Sequence, residues 1–358
     1  MQKQIKVLFI TGKLQHYRVP IFNLIVKMSN FDLTVAHSSK KISKDTDLFK
    51  EVILDEIKIS RFTIHKNNLV SFCNNFDVVV SMLYLQKLSF MRLLYVRNRK
   101  YKLIYWGIGL KASQKSEFDT PTFLNKIRFA IAKKSDAMIF YTNYAREKYI
   151  ANNIDSEKLF VMNNTVQVNN HYIEEVNTKD CILFVGTLNK SKKIFSLLEA
   201  YKSALSKHGT LPRLEIVGEG VEYEDLKTWV NENNLFHKII LHGSIYNPND
   251  LERLFKRTLA CISPGQAGLS VLTSFGYGVP FITSHNAITG GERLNIKNNY
   301  NGILFKTNAE LENIIMDIEI NQNKYLKMGI NARLFYLEER SPKIMAQGFI
   351  DAVKHVIK

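Results

Sequence analysis

Short, nearly unbroken apolar runs recur along this chain, separated by segments whose apolar residues fall three or four apart. Ile5 to Ile10 has the character of a strand buried on both faces, and Pro20 to Met28 the spacing of a helix with proline in its first turn. Leu33 to Ala36, Val52 to Leu54, Val78 to Val80 and Leu103 to Tyr105 supply further short strands. Pro121 to Ser135 predicts a helix, with apolar positions Phe123, Leu124, Ile127, Ile131 and Ala132, and Ala137 to Tyr141 the next strand. Helix Asn143 to Asn152 and strand Leu159 to Met162 follow. That alternation is what an α/β domain with a mostly parallel sheet produces.

The polar stretch Asn163 to Lys179 reads as a linker, after which the pattern restarts. Strand Cys181 to Val185 meets Gly186, helix Ile194 to Ser206 follows, and strand Arg213 to Val217 ends in the Gly-Glu-Gly turn at Gly218. Helix Tyr223 to Asn231, strand Ile239 to His242, a short helix from Asp250 to Phe255 and strand Leu259 to Ser263 continue it. Leu269 to Tyr277 predicts a helix closed by Gly278 and Pro280, which reopen the chain as strand Phe281 to Thr283. Leu326 to Ile357 is helical, with a kink or break expected at Pro342, which lacks the amide an interior turn requires. A chain of 358 residues suits two such units.

Composition narrows the setting. Forty-nine Lys and Arg against 33 Asp and Glu leave a formal charge of +16, which draws the chain to polyanions: nucleic acid, anionic lipid or phosphorylated substrates. Cys73, Cys181 and Cys261 lie too far apart for a local metal knuckle, and their number points to a reduced, cytoplasmic setting. No segment approaches 18 uninterrupted apolar residues, so contact with a membrane is expected to be peripheral, at the inner face. Between Lys87 and Lys102, basic residues alternate with Phe90, Leu93, Leu94, Tyr95 and Tyr101, a composition that suits an anionic interface or, equally, a solvated helix over an ordinary core.

The stretch SPGQAGLSVLTSFGYGVPFITS, Ser263 to Ser284, holds the strand, turn and helix of a ligand-binding corner. Gly268 is expected at the start of its helix, where an unencumbered backbone brings free amides toward an anion. Glycine and proline punctuation of any α/β protein is the alternative reading.

Taken in order, the motifs resemble those of the retaining, nucleotide-sugar-dependent glycosyltransferases of family 4. They are Gly12, His16, Tyr17, Arg18 and Pro20; Trp106-Gly107-Ile108-Gly109; Phe184-Val185-Gly186-Thr187-Leu188 with Lys192; Ile216 to Gly220; Leu241 to Ser244; and Ser263 to Thr283. The resemblance implies a GT-B fold, two Rossmann-like α/β domains facing each other across a cleft. Residues 1–173 would hold the acceptor and 174–340 the nucleotide sugar, with 341–358 packing back on the first domain.

Site residues follow from the same resemblance. Lys192 matches the lysine that contacts the donor phosphates, where an ammonium stabilises charge on the departing diphosphate. Thr187 stands where the family usually has arginine, and Lys190 can replace that charge only in part. Gly265 and Thr273 occupy the places of the family's two glutamates, leaving Gln266 to face the sugar and Thr273 the ribose. Ile108 stands where related sequences often carry histidine. Around the donor, Gly186, Gly218, Glu219, Ser244, Tyr246, Gly268, Leu269, Gly290, Gly291 and Glu292 are expected, the last glycines offering amides to the diphosphate. Gly12, His16, Arg18, Trp106 and Gly107 are expected at the acceptor, with His16 as a donor or general base. The implied activity is transfer of a sugar from a nucleotide-diphosphate sugar to a saccharide or lipid-linked saccharide during bacterial surface-polysaccharide assembly, without cofactor or metal. The missing carboxylates motivate a second possibility, a non-catalytic sugar-nucleotide-binding subunit. Specific nucleic-acid binding, raised by charge alone, fits the ordered glycine motifs least.

Overall fold

Runs of β-branched and aromatic residues form two parallel sheets, each in its own unit of the computed structural model, which describes residues 4–66, 68–112, 118–168 and 179–358. The first unit comprises Met1–Lys111, Asp119–Gln167 and Ser341–Lys358, and the second Ala112–Phe118 and Val168–Arg340. Much of the polar stretch read as a linker, 169–178, lies outside the described residues.

In the first unit the chain runs β1 (Ile5–Ile10), α1 (Val19–Met28), β2 (Phe31–His37), β3 (Lys50–Ile53), β4 (Glu56–Ile59), β5 (Phe62–His65), α2 (Leu69–Cys73) and β6 (Val78–Met82). It continues with α3 (Leu88–Arg92), β7 (Lys102–Gly107), α4 (Phe123–Lys134), β8 (Ala137–Phe140), α5 (Asn143–Ile150) and β9 (Leu159–Val161). Seven strands pair in the order β3-β2-β1-β6-β7-β8-β9, all parallel, and β4 and β5 form a separate antiparallel hairpin. The central strands are buried on both faces, which is why they read as unbroken apolar runs. Phe9, Ile104 and Trp106 pack on Ile21, Phe22 and Ile25 of α1. The same cluster takes in Phe349, Ile350 and Val353 of the last helix, α12 (Pro342–Ile357).

The second unit runs β10 (Cys181–Val185), α6 (Ile194–His208), β11 (Arg213–Val217), α7 (Tyr223–Glu232), β12 (Ile239–Gly243), α8 (Pro248–Arg257) and β13 (Thr258–Ile262). Then come α9 (Ser270–Gly276), β14 (Phe281–Ser284), β15 (Gly302–Phe305), α10 (Asn308–Ile320) and α11 (Gln322–Glu339). Its six strands pair in parallel in the order β12-β11-β10-β13-β14-β15. Leu197, Leu198 and Tyr201 of α6 meet Leu311 and Ile315 of α10 over Phe184 and Ile216.

Where elements escaped the sequence, the reason is local. The hairpin β4–β5 has only four residues a strand, and its alternating apolar positions, Ile57 and Ile59 opposite Ile64 and Phe62, are not buried: Ile57 and Ile59 are 45% and 54% exposed. β15 and α10 sit behind an asparagine-rich turn, yet Thr307 and Glu310 spell a helix start. Thr307 Oγ1 accepts from the Glu310 amide at 3.1 Å while the Glu310 carboxylate accepts from the Lys306 amide at 2.7 Å. At Pro342 the chain breaks and does not kink: α11 ends at Glu339 and the proline becomes the first residue of α12.

A buried acid fixes the loop after β2. Glu51 Oε1 lies 2.6 Å from His37 Nε2, both side chains without exposure, and the carboxylate accepts from the Ile42 and Ser43 amides at 3.0 and 2.7 Å. Burial alone would raise the Glu51 pKa, but the hydrogen bonds from Ser43, Ile42 and His37 outweigh it and hold the group below its ordinary value. A depressed carboxylate pKa stabilises the fold fully above the ordinary glutamate value of about 4.3 and loses that contribution as pH falls through the lower folded value. We therefore expect the Ile42 and Ser43 amides to keep their protection from hydrogen exchange as pH falls to the ordinary glutamate value and to lose it only at more acidic pH. Glu51→Gln should produce the same exposure at neutral pH, and unchanged protection there would show that another group holds the loop.

Candidate active site

In each sheet, two strands distant in sequence lie side by side while the connections on either side run in opposite directions. Such a switch point opens a crevice at the carboxyl ends of the strands. In the second unit it falls between β10 and β13, so the loops that begin at Gly186 and Ser263 face each other. The first loop folds into a single 3-10 turn, Lys190–Lys192, capped by Asn189, whose Oδ1 accepts from the Ser191 amide at 3.0 Å. Lys193 then takes a left-handed conformation and starts α6.

The turn aims Lys192 back across its own strand. Its Cε and Nζ come 3.3 and 3.4 Å from where a Cβ on Gly186 would stand. Burial depresses the pKa of this ammonium, the nearby Cys261 acting the other way, and no carboxylate among the described residues pairs with it. A desolvated cation without a counter-charge favours an anion beside it.

The opposite loop docks on the same turn through backbone. Gly265 donates to the Lys192 carbonyl at 3.0 Å and accepts from the Ile288 amide at 2.8 Å. A Cβ at 265 would lie 2.2 Å from the Ser191 carbonyl oxygen. No side chain fits there, so the carboxylate absent from this position is absent because the two loops touch. Gly218 makes a similar approach: at φ +145° a Cβ would stand 1.9 Å from the Gly186 carbonyl oxygen. Gly186 donates to Val217, Leu188 to Glu219 and Gly218 to Gly243, which ties the ends of β10, β11 and β12 into one rim. On that rim Glu219 Oε1 lies 3.5 Å from the Ser244 amide, and Tyr246 is 88% exposed. Thr187 and Lys190 are exposed, and Gln266 is half-buried beside the bridge its backbone makes with Ile288.

Several expectations need correction. α9 starts at Ser270, Gly268 has open space around it, and its carbonyl accepts from the Val271 amide, so no close approach requires glycine there. Leu269 is the half-buried residue that precedes the helix. The Thr273 hydroxyl donates to the Leu269 carbonyl at 3.2 Å, and its oxygen can still accept from a ribose hydroxyl, so the place expected for it at the ribose needs no correction. The amides of Gly290 and Gly291 are not free: they donate at 3.0 Å to the Glu292 carboxylate and to Thr289 Oγ1. Two residues with no recognisable sequence signal join this region. Ser270 Oγ is buried without a partner at the start of α9, and Glu222, 8% exposed, has one buried oxygen without a partner where α7 begins.

In the first unit the switch point lies between β1 and β6, and the chain beyond β6 brings Lys87 over Gly12. Lys87 pairs with Glu56 of the hairpin, Ser38 Oγ lies 3.2 Å from His65 Nε2, and the Ser38 amide donates to Gly12. Lys87 and Glu56 are 31 residues apart, so sequence spacing gave no sign of the pair. His16 is exposed and lines a recess of about 540 Å3 with Asn23, Lys27, Lys44 and Gln167. Trp106, in contrast, is fully buried, so its side chain cannot touch an acceptor. It instead backs Arg18, whose guanidinium carbon is 4.7 Å from the indole centroid and which donates to the Tyr141 hydroxyl. At 6% exposure Arg18 is enclosed as well, a correction to its expected place at the acceptor. Gly107 ends β7 against Leu83. Among the described residues no group of three or more His, Cys, Asp or Glu is placed to hold a metal ion.

Two Rossmann-like units, each with its crevice at a parallel switch point, define the GT-B fold. Residues 167–335 match the model of the family Glycosyl transferases group 1. Among solved structures the chain is similar to Anabaena HepE in complex with UDP, at 13% identity and TM-score 0.72, covering 98% of this chain and 100% of that one. It is also similar to TarM, known from S. aureus, at 12% identity and TM-score 0.71 over 98% and 99%. The lipopolysaccharide outer core galactosyltransferase WaaB in its apo form gives 16% identity and TM-score 0.66 over 98% and 99%. None of the curated proteins searched matches the sequence.

Proposed function

We propose that the chain transfers a sugar from a nucleotide-diphosphate sugar to a saccharide or lipid-linked saccharide, with retention at the anomeric carbon, in the assembly of a bacterial surface polysaccharide. The observation that carries this reading is Lys192: a partly buried ammonium over Gly186, without a counter-charge among the described residues, at the switch point of the second sheet. A diphosphate supplies the missing charge, and as the sugar bond breaks Lys192 stabilises the negative charge left on the departing nucleotide. Uridine diphosphate bound in HepE supports a uridine donor, and WaaB supports a glycan acceptor. Glu219 and Ser244, adjacent on the rim, are assigned to the nucleoside side, and Gln266 to the sugar. The acceptor is assigned to the first unit, where His16 and the Lys87–Glu56 pair present polar groups near the ends of β1 and β6. A lipid-linked acceptor would bring the chain to the inner face of a membrane; no helix of the described residues is long and apolar enough to cross one.

Calorimetric titration with UDP, GDP and CDP sugars, followed by NMR of the product formed with the tightest donor, tests the reading. Saturable binding of one nucleotide sugar and a product of unchanged anomeric configuration are expected. Inversion would exclude retention, and failure of every nucleotide diphosphate to bind would remove the assignment of the crevice.

A further inference from the structure

Helix α4 carries large apolar side chains that the described residues leave wholly or partly exposed. Phe123 is 74% exposed, Leu124 46% and Ile127 37%, and Tyr95, just beyond α3, is 65% exposed. Leu124 and Ile127 line a recess of about 580 Å3 whose other wall is Met91, Leu94 and Tyr95. Apolar residues scattered singly on a surface are ordinary, but a contiguous face of this kind marks a place of contact.

The charged residues around it have one sign. From Thr120 to Ser135 and from Tyr84 to Lys102 the sequence holds no Asp or Glu. Arg92, Arg97, Lys126, Lys133 and Lys134 are exposed, and none is ion-paired among the described residues. Lys134 lies over the Tyr95 ring, 4.9 Å from its centroid, so one cation already sits against the apolar face. Other basic residues of the 84–102 stretch are spent inside the fold: Lys87 pairs with Glu56 and Arg99 with Asp136, while Phe90 and Leu93 are core residues. The split sorts that stretch into a structural part and an outward part, and α4, which the alternation in 84–102 did not include, completes the outward one.

We infer that the face formed by α4 and the end of α3 seats this protein on an anionic lipid bilayer. Phe123, Leu124, Ile127 and Tyr95 enter the interfacial layer, and the surrounding arginines and lysines meet lipid phosphates. A second copy of the chain is disfavoured as the occupant, because it would bring two cationic rims together. A zwitterionic surface would leave that rim unmatched. The inference does not rest on the sugar-transfer reading, since it involves neither crevice.

Cosedimentation of the full chain with vesicles tests it. Phosphatidylglycerol mixed with phosphatidylcholine should bind the protein at least about tenfold more tightly than phosphatidylcholine alone, and the difference should collapse at about 1 M salt. Phe123→Ser combined with Tyr95→Ser should weaken binding to the anionic vesicles about tenfold with a nearly unchanged melting temperature, because both side chains are mostly exposed. Lys126→Gln with Lys134→Gln should remove much of the preference for anionic lipid and leave the residual neutral binding. Equal binding to both vesicle types, or a serine variant that partitions like the parent, would overturn the inference. So would a dimer in solution that dissociates when Phe123 is replaced, or binding only to an acidic protein and not to vesicles.

Discussion

Lys192→Ala should lower the turnover of donor by about a hundred- to a thousandfold, the range seen when one group that stabilises developing negative charge is removed. Because a partly buried cation acts on the charge that grows as the sugar bond breaks, most of the loss should appear in kcat and less in the KM for the donor. Folding should be nearly unaffected or slightly improved. Among the described residues Lys192 has no ion pair to lose, and its burial disfavours the charged form, so removing it relieves a cost. The pH dependence follows from the same environment. With its pKa below the ordinary lysine value of about 10.4, the free protein should lose donor affinity on the alkaline side earlier than an exposed lysine would predict. A bound diphosphate stabilises the ammonium and should move that limb back up. Lys192→Ala should abolish the limb altogether, whereas a pH profile identical in parent and variant would assign the titration to another group.

The sequence exposed the sheets because their central strands have both faces covered; Val78 to Met82 is buried at every position. It also exposed the loops at Gly186 and Gly218, since a strand that stops at glycine in an α/β pattern marks a carboxyl-end turn. What it concealed are consequences of non-local pairing. Nothing in the order of residues says that β1 neighbours β6 or that β10 neighbours β13, and those two pairings decide which loops face each other. Lys87 reads as one more basic residue in a cationic stretch until β6 carries the chain beyond it to Gly12. Trp106 failed in the other direction. An aromatic before a glycine looks like a platform for a sugar, but at the end of a doubly covered strand it turns inward, onto Phe9 and Tyr141. Gly290 and Gly291 misled for a related reason: glycine permits an exposed amide without guaranteeing one, and here Thr289 and Glu292 take both.

Gly265 shows how a departure from a family pattern changes meaning once the backbone is known. Read along the chain it is a lost carboxylate, and the obvious repair is Gly265→Glu. In the fold it is the point where the second loop of the crevice rests on the turn that presents Lys192, with a Cβ position 2.2 Å from the Ser191 carbonyl oxygen and 2.9 Å from that of Lys192. Backbone on both sides cannot yield as a flexible side chain would, so any substitution must drive the loops apart. Gly265→Ala should therefore destabilise the chain by about 1–3 kcal/mol in a urea titration, in the manner of overpacking in a filled core. It should also break the 3.0 Å hydrogen bond from its amide to the Lys192 carbonyl and reduce donor affinity at least about tenfold. Gly265→Glu should be no better than Gly265→Ala, because the carboxylate arrives only with the same displacement. Gln266→Glu, one residue on and half-buried, offers the charge without the clash and should fold normally. If Gly265→Ala melts and binds donor like the parent, the two loops are not in the contact described, and the absence of a carboxylate at 265 would need a different cause.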